Sequence, residues 1–177
     1  MGNERPPPRA PDGIEDEHAQ PIAGWRQHAS PISLVVFGAV LALALTGLLG
    51  REVDRRAEGD GARLAVHTSE IIRNGEFFEM RISVEADAPI GELVVAVDEG
   101  LWEDMTVNTM IPAATDEESV DGEYRFTFAP LEAGERFALK VDIQVNPDIV
   151  GGNDGAVTVY DGDQELASTE VDITVLP

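Results

Sequence analysis

Residues 137–145 read FALKVDIQV. Phe137, Leu139, Val141, Ile143 and Val145 alternate with Ala138, Lys140, Asp142 and Gln144, so one face is apolar and the other polar. A period of two is the mark of a strand that shows one face to a core and the other to water. The pattern recurs along the chain. Phe78, Met80, Ile82 and Val84 alternate with Glu79, Arg81, Ser83 and Glu85; Tyr124, Phe126 and Phe128 with Arg125 and Thr127; Leu64 and Val66 with Arg63 and Ala65. Further short strands are expected near 70–73, 92–97, 105–109, 156–160 and 164–175. Asn74-Gly75 and Asp161-Gly162 read as two-residue hairpin turns, whose central positions favour positive φ. Many short strands and no competing helix over residues 62–177 predict an all-β domain. An immunoglobulin-like antiparallel β-sandwich is the leading topology.

Upstream the character changes twice. Residues 31–50, PISLVVFGAVLALALTGLLG, contain no charged side chain. Twenty residues at ~1.5 Å each span about 30 Å, the thickness of a hydrocarbon core, so 31–50 is expected to cross a bilayer once within an anchor of 22–50. Pro31 suits a first helical turn behind Ser30, and Trp25 suits the headgroup region. A cleaved signal peptide would have a shorter apolar core behind a basic start and before a small-x-small site, whereas this one follows an acidic stretch and runs into Arg51-Glu52-Val53-Asp54. Residues 1–21, Pro-rich and charged, read as a disordered tail. Residues 51–61, charged and containing Gly59 and Gly61, read as a linker.

The balance of 12 Lys+Arg against 34 Asp+Glu leaves a formal charge of -22. That charge argues against nucleic acid and against anionic lipid surfaces as partners. There is no cysteine, which removes disulfides, thiolate catalysis and zinc–thiolate sites together. One lysine, Lys140, against many arginines is the usage of a GC-rich bacterial genome.

Few residues suggest chemistry. His67 is the sole histidine of the domain, with no second histidine or cysteine to build a metal site or a nucleophile–base pair around it. No Gly-rich phosphate loop is present, and no cofactor is expected. Asp161, Asp163 and Glu165 alternate as calcium ligands do, although the hairpin reading accounts for Asp161-Gly162 as well. Met80, Met105 and Met110 lack the His or Cys that a copper site would add, and Met80 falls on an apolar strand face. Trp102 and Met105, in GLWEDM at 100–105, are candidates for partner contact if the segment is an exposed loop; the alternative is that Trp102 plugs one end of the sandwich. In the anchor, Gly38, Ala42, Thr46 and Gly50 recur every four residues, a spacing that lines small side chains on one helix face for close packing against another helix.

The order of short tail, single span and sandwich resembles that of uncharacterised single-pass bacterial envelope proteins with a C-terminal immunoglobulin-like domain. The matching stretches are 74–82 (NGEFFEMRI), 101–113 (LWEDMTVNTMIPA), 121–135 (DGEYRFTFAPLEAGE) and the terminal Val175-Leu176-Pro177. The resemblance implies association with a multi-span membrane protein of the YetF-like type and supplies no catalytic residues. FixH-like oxidase-assembly proteins share the architecture but no motif.

These readings converge on a non-catalytic accessory subunit of a bacterial inner membrane, its N-terminus cytoplasmic and its sandwich periplasmic. The partner is another membrane protein or a second copy met through the anchor helix. A calcium- or ligand-binding sandwich and a hydrolase are the alternatives. Arg51, Arg55, Arg56 and Arg63 behind the span oppose the chosen orientation under the positive-inside rule, but long domains translocate largely regardless of charge.

Overall fold

The computed structural model describes residues 26–47, 50–147 and 150–177. Residues 137–145 lie in β9 (Arg136–Val145), hydrogen-bonded in antiparallel register to β4 (Phe77–Ala86). Phe78, Met80, Ile82 and Val84 stand opposite Ile143, Val141, Leu139 and Phe137, so the two apolar faces form one continuous surface. Numbered along the chain, the strands described form two sheets. The first has the order β1 (Glu52–Glu58), β2 (Ala62–Ser69), β4, β9, β6 (Met105–Ile111). The second has the order β3 (Ile71–Arg73), β11 (Gln164–Leu176), β10 (Gly151–Asp161), β5 (Leu93–Asp98), β8 (Glu123–Phe128), β7 (Asp116–Val120). The core lies between them and includes Leu64, Met80, Ile82, Leu93, Leu139, Ile143 and Ile173, all essentially inaccessible. Burying each such side chain is worth about 1.5–3 kcal/mol. The all-β, two-sheet expectation is met.

Several details differ from the sequence reading. The expected linker is an edge strand: residues Glu52–Glu58 pair with β2 through seven consecutive partners, from Glu52–Ser69 to Glu58–Arg63. Its side chains give no apolar signal because the backbone ladder and polar side-chain contacts hold it, among them the ion pair of Arg51 with Glu70 at 3.0 Å and the hydrogen bond between His67 and Asp54 at 2.9 Å. Gly59 belongs to the β1–β2 turn. A Cβ there would stand 1.9 Å from the Leu166 carbonyl oxygen, so only glycine permits the approach. Asn74-Gly75 does not close a hairpin. The strands on either side lie in different sheets, and the turn carries the chain across the core, with the Asn74 amide donating to the Pro147 carbonyl at 3.1 Å. The β10–β11 hairpin is displaced by one: Asp161 pairs with Gln164, and Gly162-Asp163 are its central residues. The sandwich is not wholly antiparallel, because β3 runs parallel to β11.

The N-terminal unit is helix α1 (Arg26–Leu45). It shows Ile32, Leu34, Val35, Val36, Phe37 and Val40 as exposed large apolar side chains. The helix ends five residues before the expected limit, in a turn where Gly47 takes φ +73°, the left-handed end that glycine favours. Among the described residues no helix is long and apolar enough to cross a membrane. Thr46 and Gly50 lie beyond Leu45, so the four small residues do not share one helical face; Gly38 and Ala42 remain within α1. The tail 1–21 and Trp25 fall outside the described residues.

Candidate functional site

The two sheets part at one flank, where β6 and β7 end their respective sheets. Residue by residue, the parting is visible on β6. Val107 stands opposite Ile143 on the core side. Ile143 is fully buried and Val107 is 40% exposed, because no strand of the second sheet covers it. On the facing sheet, β7 is exposed along its whole length. Glu117 and Ser119 stand opposite Phe126 and Tyr124 in the ladder and so share their inward side.

Between these walls lies a groove of 530 Å³. Trp102, Tyr124 and Phe126 form its aromatic lining, Met105 and Met110 its β6 side, Glu117 and Glu118 its acidic rim. The indole of Trp102 stacks on Tyr124 with centroids 6.2 Å apart and lies 5.9 Å from Phe126. These contacts fix its position. Trp102 is not on an exposed loop: a 3₁₀ turn, Glu99–Trp102, tucks it in, and 4% of it is accessible. Its Nε1–H is buried with no acceptor. An unsatisfied buried donor costs about 1–3 kcal/mol. The Ser119 hydroxyl of the groove donates to Glu99 at 2.6 Å, and next to Trp102 in the chain the Glu103 carbonyl accepts from the Asn153 amide at 2.7 Å.

Beside this groove, on the outer side of the second sheet, the charges are matched. Arg125 pairs with Glu123 at 2.9 Å and lies 4.7 Å from the Tyr160 ring centroid, and the Tyr160 hydroxyl donates to Glu123 at 3.0 Å. The Glu123 hydrogen bond raises the Arg125 pKa. Burial, then Glu123, pushes the Tyr160 phenol up.

The structure brings Trp102 and Met105 into one site and adds Met110, Tyr124, Phe126 and Glu117. Sequence reasoning placed Tyr124 and Phe126 only on a core face. The signal it missed was Asp121-Gly122, a hairpin turn with φ of 54° and 84° that folds the acidic stretch 116–120 back as β7. The calcium set does not assemble. Asp161 accepts the Glu92 backbone N–H at 2.9 Å, and Asp163 is fully exposed, 3.8 Å from Arg125. Among the described residues no group of three or more His, Cys, Asp or Glu is placed to hold a metal ion. His67 is flanked by carboxylates, Asp54 on Nδ1 and Glu52 on Nε2 at 3.3 Å, and fastens β1 to β2.

No protein-family model and no curated protein matches the chain. Among solved structures, the chain is similar to CaCohA2 from Clostridium acetobutylicum, at 15% identity over 66% of this chain and 92% of that one, with a TM-score of 0.44. It is also similar to a non-cellulosomal cohesin from the archaeon Archaeoglobus fulgidus, at 8% identity over 72% and 92%, with a TM-score of 0.38. At these values the likeness carries no functional weight.

Proposed function

We propose that this chain is a non-catalytic, membrane-anchored interaction subunit whose sandwich, of immunoglobulin-like type, holds a protein partner on the periplasmic side of a bacterial inner membrane. The observation that carries this reading is the groove between β6 and β7, where an aromatic floor lies open between two sheet edges. Apolar and aromatic pockets with a few polar groups are the usual form of recognition sites. The membrane part rests on the charge-free stretch 31–50 and on the exposed apolar side chains of α1. Gly38 and Ala42 then offer a short small-residue patch to a second helix, and the partner class brought by resemblance is a multi-span protein of the YetF-like type.

A photo-crosslinking residue in place of Val107 tests the groove in cells. The expected result is a crosslinked protein that is absent when the same residue replaces Glu170, which is exposed on β11. Equal products at both positions, or none at Val107, would overturn the reading.

A further inference from the structure

Among the described residues the two sheets have four edge strands, and they are not protected alike. An exposed edge offers unpaired N–H and C=O groups to any extended chain, and natural proteins blunt it with charge, brevity or proline. Strand β1 carries Glu52, Asp54, Arg55, Arg56 and Glu58. Strand β3 has three residues and ends in Arg73. Strand β7 carries Asp116, Glu117 and Glu118. Strand β6, MTVNTMI, has no charged residue and no proline, in a chain of which 26% of residues are charged. Val107 and Ile111, 40% and 56% exposed, lie on it. Its one irregularity is a bulge between Val107 and Thr109, which leaves a short regular stretch on either side.

This unprotected edge borders the groove, and the groove's other wall is acidic. From that juxtaposition we propose that β6 receives an extended, basic segment of a partner protein as an added strand of the first sheet. On the face of that segment turned to the second sheet, apolar side chains would lie over Trp102, Tyr124 and Phe126, and Lys or Arg side chains of the same face would meet Glu117 and Glu118 at the rim. Strand addition draws affinity from main-chain hydrogen bonds and specificity from alternate side chains. Charge decides between occupants. A second copy of this chain, at a formal -22, would be repelled by the acidic rim, whereas a basic segment is attracted and steered to it. The proposal rests on the interaction reading above and adds the partner's chemistry.

The test uses the full chain in detergent micelles and a fluorescent, end-capped seven-residue peptide in which lysine, valine, valine and lysine alternate with threonine, so that all four lie on one strand face. One control peptide has the same composition in block order, and another has alternate amides N-methylated, which removes strand pairing. The alternating peptide is expected to bind, measured by anisotropy. Reversing Glu117 and Glu118 together to Lys should weaken it at least about tenfold. Trp102→Phe, which shrinks the aromatic floor, should weaken it about three- to tenfold. Val107→Lys, checked for an unchanged melting curve, should abolish it. Equal binding of the block-order or N-methylated peptide would overturn strand addition in favour of simple polycation attraction. So would indifference to the Glu117/Glu118 reversal. The Val107 crosslink separates the two failures. A specific crosslink without peptide binding removes only the basic-strand chemistry, while loss of both removes the interaction reading.

Discussion

Glu79 shows how single side chains set the conditions under which this acidic domain holds. It projects from β4 on the face away from the core and pairs with Lys140 on β9 and with Arg81. The hydrogen bond from Lys140 is the largest influence, and it holds the Glu79 carboxyl below its ordinary range while raising the Lys140 ammonium. A carboxyl with a depressed folded-state pKa binds its proton less readily when folded than when unfolded. Its contribution is therefore present above the unfolded value, about pH 4, and is lost as pH falls below it. Lys140→Met is expected to flatten the fall in melting temperature between roughly pH 5 and 3 relative to the unaltered chain, without changing its direction. An identical slope in the two proteins would show that the pair contributes nothing. The register that sets Glu79 beside Lys140 was not readable from periodicity, but the solvent-facing position of both residues was. The burial of Trp102 was not. A tryptophan between Gly100 and Glu103 carries no periodic signal, and only its stacking on Tyr124 shows it to be a floor and not a contact loop.

At the level of elements, the strands with apolar alternation were legible and the two without it were not. Residues 137–145, 78–84 and 124–128 declare themselves because one face must leave water. The stretches Glu52–Glu58 and Asp116–Val120 are charged and half-buried or exposed throughout, and what makes them strands is a neighbour's unpaired backbone. The groove shared this fate. Without β7, its acidic wall reads as a loop and its floor as ordinary core. The domain boundary moves accordingly. A fragment of 46–177 is expected to melt several degrees above one of 62–177, because removing β1 strips seven ladder pairs and leaves β2 as a new edge. The shorter fragment should also self-associate more readily, which sedimentation would register. Equal melting temperatures would mean that β1 is a passive cover.

For the whole molecule, charge and topology act together. The proposed periplasmic placement predicts that alkaline phosphatase fused after Pro177 is active; an inactive, stably expressed fusion would reverse the orientation, as the arginines behind residue 50 would have it. The parallel pair of β3 and β11 has a further consequence, for the order of events in folding. Ile71 finds its partner in Thr174, and β11 is an interior strand of its sheet, with β10 on its other side. Nearly the whole domain must therefore be synthesised before that sheet can close. Closing so long a loop costs entropy before any contact rewards it, which places the domain among slow folders, on the millisecond-to-second scale. A nascent chain halted before β11 would hold β3 and the flank of β10 bare, the state in which this protein is most open to misassociation and to chaperones.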